Sequence, residues 1–271
     1  MSDVQFVGLD IAKNVFQVHG ADRAGRPVVR RQLRRAELLR FFANLPRCLI
    51  GLEACATAHH WARELGKLGH TCRLIPARYV KAYVKTNKND LRDAEAICEA
   101  LQRPTMHFVP IKSIDQQAVL MLHRSRELLI SQRTQLGNSI RSQLAEFGVY
   151  LRLGSWTLPR QVVDLQRADT ERVPALARSL VELLLEQWRQ VQERILRLER
   201  EIKRWHRASE QSTRLGDIPG VGPITASAML ASVGDIRAFR SARHFAAWLG
   251  LVPKQYSTGG KPLLGSISKR G

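Results

Sequence analysis

Nine apolar residues recur at alternating steps of four and three: Ala177, Val181, Leu184, Trp188, Val191, Ile195, Leu198, Ile202 and Trp205. An α-helix keeps that spacing on one seam, and a seam sustained over about four heptads has to be covered along its length. Glu and Arg fill the other faces. A second stripe, Val119, Leu122, Leu129, Leu136, Ile140 and Leu144, predicts another long helix over residues 110–147. Two coverings of the seam are open: this second helix folded back as a hairpin, or the seam of another copy in a dimeric coiled coil. Residues 151–172 read as irregular, with Gly154, Pro159 and Pro174 as breaks.

The part before these helices has a different period. Apolar runs at 4–9, 15–19 and 28–33, the last two separated by a turn-rich stretch, predict an antiparallel meander. A short amphipathic helix at 36–43 follows. Then come a strand at 49–52, a helix at 57–68, a strand at 72–75 and helical material over 78–101. Three strands followed by alternating helix and strand resemble the RNase H topology, an analogy of order alone. The expected fold is therefore an α/β RNase H-like domain over 1–105, a helical and coiled-coil middle over 106–210, and a small α-helical domain over 211–271. In the last of these, Ile218-Pro219-Gly220-Val221-Gly222-Pro223 has the turn of a helix-hairpin-helix, and Gly220 and Gly222 would let backbone N–H groups approach a phosphate. A plain turn between helices, with glycines as caps, explains the same residues. A helix over 239–249 leads into a basic, Gly-rich tail with Lys254, Lys261, Lys269 and Arg270. That tail ends abruptly, as a truncated chain would.

Charge narrows the partners. Lys and Arg number 43 against 24 Asp and Glu, a formal net charge of +19, which attracts polyanions and makes nucleic acid the leading partner. The four cysteines, Cys48, Cys55, Cys72 and Cys98, lack zinc-knuckle spacing and suit a reduced, cytoplasmic setting. No apolar run approaches the roughly 20 residues of a membrane span, and the start lacks the pattern of a signal peptide.

Against that basic background, four acids are conspicuously placed. Asp10 and Glu53 each end an apolar run, and Asp90 and Asp93 lie three apart on one helix face. Carboxylates from separate elements suit divalent metals that clamp a phosphodiester, and Mg²⁺ prefers such sparse oxygen ligation. Taken singly, each acid could be a solvated charge, and Asp90 could simply cap a helix. Ser257, in Tyr256-Ser257-Thr258-Gly259-Gly260-Lys261, is a nucleophile candidate in a flexible segment, with basic residues nearby to stabilise charge on phosphorus. A serine in such a segment is otherwise a turn residue.

These residues together resemble the IS110 insertion-sequence family of transposases, in the IS1111 subgroup. The resemblance rests on Val7-Gly8-Leu9-Asp10-Ile11-Ala12-Lys13, Gly51-Leu52-Glu53-Ala54-Cys55, Lys88-Asn89-Asp90-Leu91-Arg92-Asp93-Ala94, Ile218-Pro219-Gly220-Val221-Gly222, and Trp248-Leu249-Gly250-Leu251-Val252-Pro253 running into Ser257-Thr258-Gly259-Gly260-Lys261. It implies a RuvC-like DEDD domain, a coiled-coil middle and a C-terminal transposase domain. It further implies that Asp10, Glu53, Asp90 and Asp93 bind Mg²⁺, and that Ser257 forms a covalent 5′-phosphoserine link with DNA. A structured bridge RNA as guide and a homo-oligomeric assembly, dimer or tetramer, are also implied. Similar proteins continue beyond the Ser268-Lys269-Arg270-Gly271 stretch, which again suggests a truncated chain. Three other readings fit parts of the sequence: a Mg²⁺-dependent junction nuclease using water, an inactive remnant that binds DNA or RNA, and an actin-like phosphotransferase. The last needs a second phosphate loop that the sequence does not show.

Overall fold

The computed structural model describes residues 3–83, 90–154, 157–168, 172–234, 237 and 239–267. The chain divides into two compact units, one of Met1–Ile111 with Val233–Gly271 and one of Lys112–Ser232.

The first unit is built on a five-stranded sheet. Its strands are β1 (Phe6–Ile11), β2 (Val15–Ala21), β3 (Pro27–Arg34), β4 (Leu49–Glu53) and β5 (Thr71–Ile75), in the order β3-β2-β1-β4-β5. β1, β2 and β3 are the antiparallel meander that the apolar runs and their turn-rich separation predict, whereas β4 and β5 add in parallel. Helices α1 (Leu38–Ala43), α2 (Ala58–Lys67), α3 (Ala77–Val80) and α4 (Asp90–Leu101) complete it. The mixed α/β sheet with its helices is consistent with the expected RNase H-like fold.

Alternation decides the two faces of the sheet. Val7, Leu9, Ile50 and Leu52 are fully buried in a core with Leu38 and Phe42 of α1 and with Trp61 and Leu65 of α2. Phe6 and Leu49 point the other way, onto Ile97, Ala100 and Leu101 of α4. Two glycines make that second contact close. A Cβ on Gly8 would fall inside contact distance of the Ala94 carbonyl oxygen and 2.6 Å from the Cys98 nitrogen, and one on Gly51 would meet Ile97 and Leu101 at 3.1–3.2 Å. Here glycine supplies room for a helix backbone rather than a special φ.

The second unit is a pair of long helices, α5 (Ile114–Ala145) and α7 (Ala175–Ala208). Arg126 donates to Glu199 at 2.6 and 2.9 Å, and Arg133 donates to Gln192 at 2.6 Å, so the helices run antiparallel. The seam lies between them. Val181, Trp188, Val191, Ile195 and Ile202 are buried, and Ala177, Leu184, Leu198 and Trp205 are half-buried. A Cβ on Gly137 of α5 would stand 3.6 Å from the Trp188 indole nitrogen, in ordinary contact, so α5 lies directly against the seam there. The seam is therefore covered by α5 of the same chain. Residues 151–172 differ from the expected irregular stretch, because α6 (Leu158–Ala168) forms there and contributes Leu158 and Val162 to the core. Pro159 sits in its first turn, where an N–H has no helical partner to lose. Two shorter helices, α8 (Glu210–Gly216) and α9 (Pro223–Val233), flank the glycine turn.

In the first unit, α10 (Ala242–Trp248) is capped by Ser241, whose side chain accepts from the His244 N–H. The Phe239 ring packs edge-on against His244, Phe245 and Trp248. The basic, Gly-rich tail forms a two-stranded hairpin, β6 (Pro253–Gln255) and β7 (Leu264–Ile267), around the Tyr256–Lys261 segment. No helix among the described residues is long and apolar enough to cross a membrane.

Candidate active site

The parallel pairing of β1 with β4 matches Leu9 to Leu52, so the next residues, Asp10 and Glu53, emerge side by side at the ends of adjacent strands. Both share the face of Gly8 and Gly51, two residues earlier, which is the face that α4 covers. The direction of α4 follows from its contacts. Gln102, just past its end, lies 3.5 Å from a Cβ placed on Gly25, in the turn after Ala21, and Ala21 pairs with the start of β1 at Phe6. Ala94 lies over Gly8. Residues before Ala94 therefore run toward the carboxyl end of β1. Two strand residues, about 6.6 Å, separate Gly8 from Asp10. Four helical residues, about 6 Å, separate Ala94 from Asp90. The first turn of α4 is thus level with Asp10 and Glu53.

Asp10, Glu53 and Asp93 are each half-buried. The side chain of Asp90 lies outside the described residues, as do Lys88 and Asn89 of the same motif. Among the described residues no three His, Cys, Asp or Glu side chains converge as a complete metal cage. The electrostatics join the first two acids. Burial pushes the Cys55 thiol up, and the Glu53 and then the Asp10 carboxylate push it further, so both negative charges act on one point just past β4. Backbone strain marks the same loop: Thr57, at the start of α2, has φ +71°, in the left-handed region.

Sequence reasoning missed two residues here. Arg35 donates at 2.9 and 2.7 Å to the Lys13 carbonyl, pinning the turn that follows Asp10, and its guanidinium stacks 5.4 Å from the Phe16 and Trp61 rings. Gln17 pairs directly with Asp10 across β1 and β2 and is buried. A polar residue between Phe16 and Val18, in step with His19, was the available signal.

Ser257 stands elsewhere, in the β6–β7 hairpin. Its Oγ accepts from Gln255 Nε2 at 2.8 Å. The tip is a tight turn in which Thr258 bridges Lys261, with Gly259 at φ +57° and Gly260 at φ +76°. Positive φ at both central residues is the geometry of a type I′ turn. Ser257 and Lys261 are exposed and Lys254 is half-buried. Lys269 and Arg270 lie outside the described residues. Gly220 and Gly222, in the second unit, are exposed, and beyond their chain neighbours no atom lies within 4 Å of a Cβ placed on them. Gly220 has φ +85°, and the Gly222 carbonyl accepts from Ala226 at the first turn of α9.

Comparison with known proteins gives concordant results. A DEDD-type model described as "Transposase" and named for IS110 matches residues 7–148. A second, described as "Transposase IS116/IS110/IS902 family", matches residues 212–271. A "Probable family 20 transposase" of Pseudomonas aeruginosa is 50% identical over 98% of this chain and 79% of its own length. The "Transposase for insertion sequence element IS1328" of Yersinia enterocolitica is 41% identical over 100% of this chain and 80% of its own. The "Transposase for insertion sequence element IS1111A" of Coxiella burnetii is 38% identical over 100% of this chain and 74% of its own.

Proposed function

This chain belongs to the IS110 family of insertion-sequence transposases, enzymes that recombine DNA, and from that premise we propose that it cuts and rejoins DNA through a covalent 5′-phosphoserine link made by Ser257. The DEDD class implies a divalent metal in general. In our reading the metal is Mg²⁺, and Asp10, Glu53, Asp90 and Asp93 hold it. What supports this most is the pairing of Asp10 and Glu53 at adjacent parallel strand ends, level with the first turn of α4. The residues fit an ion chemically: carboxylate oxygens from three elements, and a buried Gln17 Oε1 without a partner among the described residues. When bound, the ion supplies positive charge against the charge that builds on phosphorus.

The chain's own groups do the rest. Ser257 Oγ attacks the phosphorus, an O–P bond forms, and the P–O3′ bond breaks. The serine proton passes to a carboxylate, and the departing 3′ oxygen takes up a proton from water. Lys254 and Lys261, beside the serine in sequence, bind the phosphate oxygens; Lys269 and Arg270 extend the same basic stretch. Backbone N–H groups at Gly220 and Gly222 hold a phosphate at the start of α9. In this arrangement residues 1–105 carry the acids and 211–271 the serine. A +19 charge suits a structured guide RNA alongside the DNA. A homo-oligomer is supported by Leu176, Leu180 and Leu183, which leave an apolar stripe exposed on α7.

The test is to incubate the protein with its flanking non-coding RNA, DNA ends and Mg²⁺, and look for a protein–DNA adduct that survives denaturation. We expect an adduct with the unaltered chain, and none with Ser257→Ala. Asp10→Ala lowers its yield by about 10³-fold or more. Cleaved DNA without any adduct would replace the serine mechanism by attack of water.

A further inference from the structure

The residue that stands beside Asp10 on the next strand is not an acid. Asp10 pairs directly with Gln17, and cross-strand partners hold their Cβ atoms about 4.5–5.5 Å apart on one face of the sheet. Gln17 therefore shares the face that carries Asp10 and Glu53, and α4 packs over β2 as well as β1. Its side chain is only 7% exposed. Its carbonyl oxygen, Oε1, is buried without a hydrogen-bond partner among the described residues. A buried amide carbonyl left unpaired is costly, and native folds seldom keep one without a use for it. An apolar residue would fill the site between Phe16 and Val18 at no such cost. Further along the same face His19 is polar and buried while Ala21 is apolar and buried, so the strand tolerates either kind of residue and does not by itself demand glutamine at 17.

We propose that Gln17 is a positioning residue of the acidic site, its carbonyl accepting a hydrogen bond from a water on the divalent ion and so fixing that water against Asp10. This rests on the reading that Asp10 and Glu53 hold such an ion. An amide suits the role better than a carboxylate. It accepts a hydrogen bond without adding a fifth negative charge to a cluster that already repels itself. Outer-sphere acceptors of this kind orient the inner sphere and typically change metal affinity by about 10–100-fold when removed.

The role predicts effects of opposite sign on stability and on binding. Gln17→Met keeps the length of the side chain but cannot accept. With no ion present it removes an unpaired buried carbonyl, so its melting temperature does not fall below that of the unaltered chain. Its affinity for Mn²⁺, measured on the full chain by calorimetry and by electron paramagnetic resonance of the bound ion, drops about tenfold or more. Gln17→Glu restores an acceptor and recovers at least the original Mn²⁺ affinity. Asp10→Asn is the control for the site itself and removes most of the Mn²⁺ binding. If Gln17→Met binds Mn²⁺ as the unaltered chain does while Asp10→Asn does not, Gln17 has no positioning role and the acidic site stands. If Asp10→Asn binds Mn²⁺ normally, the acidic site itself is wrong and this inference falls with it. If Gln17→Met melts several degrees lower with its Mn²⁺ affinity intact, the glutamine is merely structural.

Discussion

The sheet that carries Asp10 and Glu53 and the hairpin that carries Ser257 belong to one compact unit but are built on opposite terms. Asp10 follows Leu9 and Glu53 follows Leu52, both with no exposed surface, in strands hydrogen-bonded on both sides. By contrast, every residue from Gln255 to Ile267 is exposed. A two-stranded hairpin without a buried face is marginal by itself. Asp10 and Glu53 are thus held in place by the packed strands that carry them. The serine is held by turn geometry and by the hydrogen bond it accepts from Gln255. The glycines show the same division. Gly8 and Gly51 are needed for space, whereas Gly259 and Gly260 are needed for their φ.

Substituting one glycine of each kind tests this directly. Gly8→Ala drives a methyl group into the backbone of α4 at Ala94 and Cys98. Backbone cannot give way as a side chain can, so we expect a loss of about 3 kcal/mol or more. Thermal melting should fall by roughly 6–12 °C, and DNA cleavage should disappear with it. An unchanged melting temperature would mean that α4 is not seated on β1 as described. Gly259→Ala meets no atom within 4 Å, but its φ of +57° costs an L-residue about 1–2 kcal/mol. That strain is confined to the hairpin. We expect the main melting transition to stay within 1 °C or so, and the yield of serine adduct to fall about five- to thirtyfold. A fall in the main transition instead would show the hairpin to be part of the cooperative core.

The same contrast explains what could be read in the sequence. The first two strands of the meander were legible as apolar runs bounded by turns, because the sheet is buried on both faces there, and the two long helices were legible because burial along one side imposes a period of 3.6. Asp10 and Glu53 were legible because they interrupt apolar runs at the point where strands end. Three things were not. The helix over 158–168 was hidden by Pro159, since a proline in a first turn looks the same in sequence as a proline that breaks a helix. The hairpin at Ser257 has no buried face and so no alternation to report; only Gly259-Gly260 signalled a turn. The partner of the Trp188 seam was open because a heptad pattern specifies that something covers it, and here Arg126 and Arg133 on α5 tie that helix to α7 within the chain. Gln17 was overlooked because its meaning lies in which residue it faces across the sheet, and register is not written in one strand alone.

The smallest expected effect comes from the cysteines, and it reports on only one side of the comparison. All four are in residues 48–98, and none is in the hairpin. Burial pushes the thiols of Cys48 and Cys72 up to about 12 and that of Cys98 up to about 11, from an ordinary value of 9.0. The thiolate is the reactive form, so in the folded chain at pH 8 these three should resist iodoacetamide, and alkylation read by mass spectrometry should reach them only after denaturation. The sign of the linked effect on stability is fixed. A folded value raised above the unfolded one favours the protonated, folded state, a contribution fully present below about pH 9 and lost as the pH rises toward 11 and 12. Melting temperature should therefore decline across that alkaline window. Cys98 lies against Gly8, so Gly8→Ala should make it alkylable at pH 8, while Gly259→Ala should leave it protected. Equal protection in both variants would mean that α4 absorbs the added methyl without leaving the sheet, and the acids would then be less rigidly preset than the packing implies.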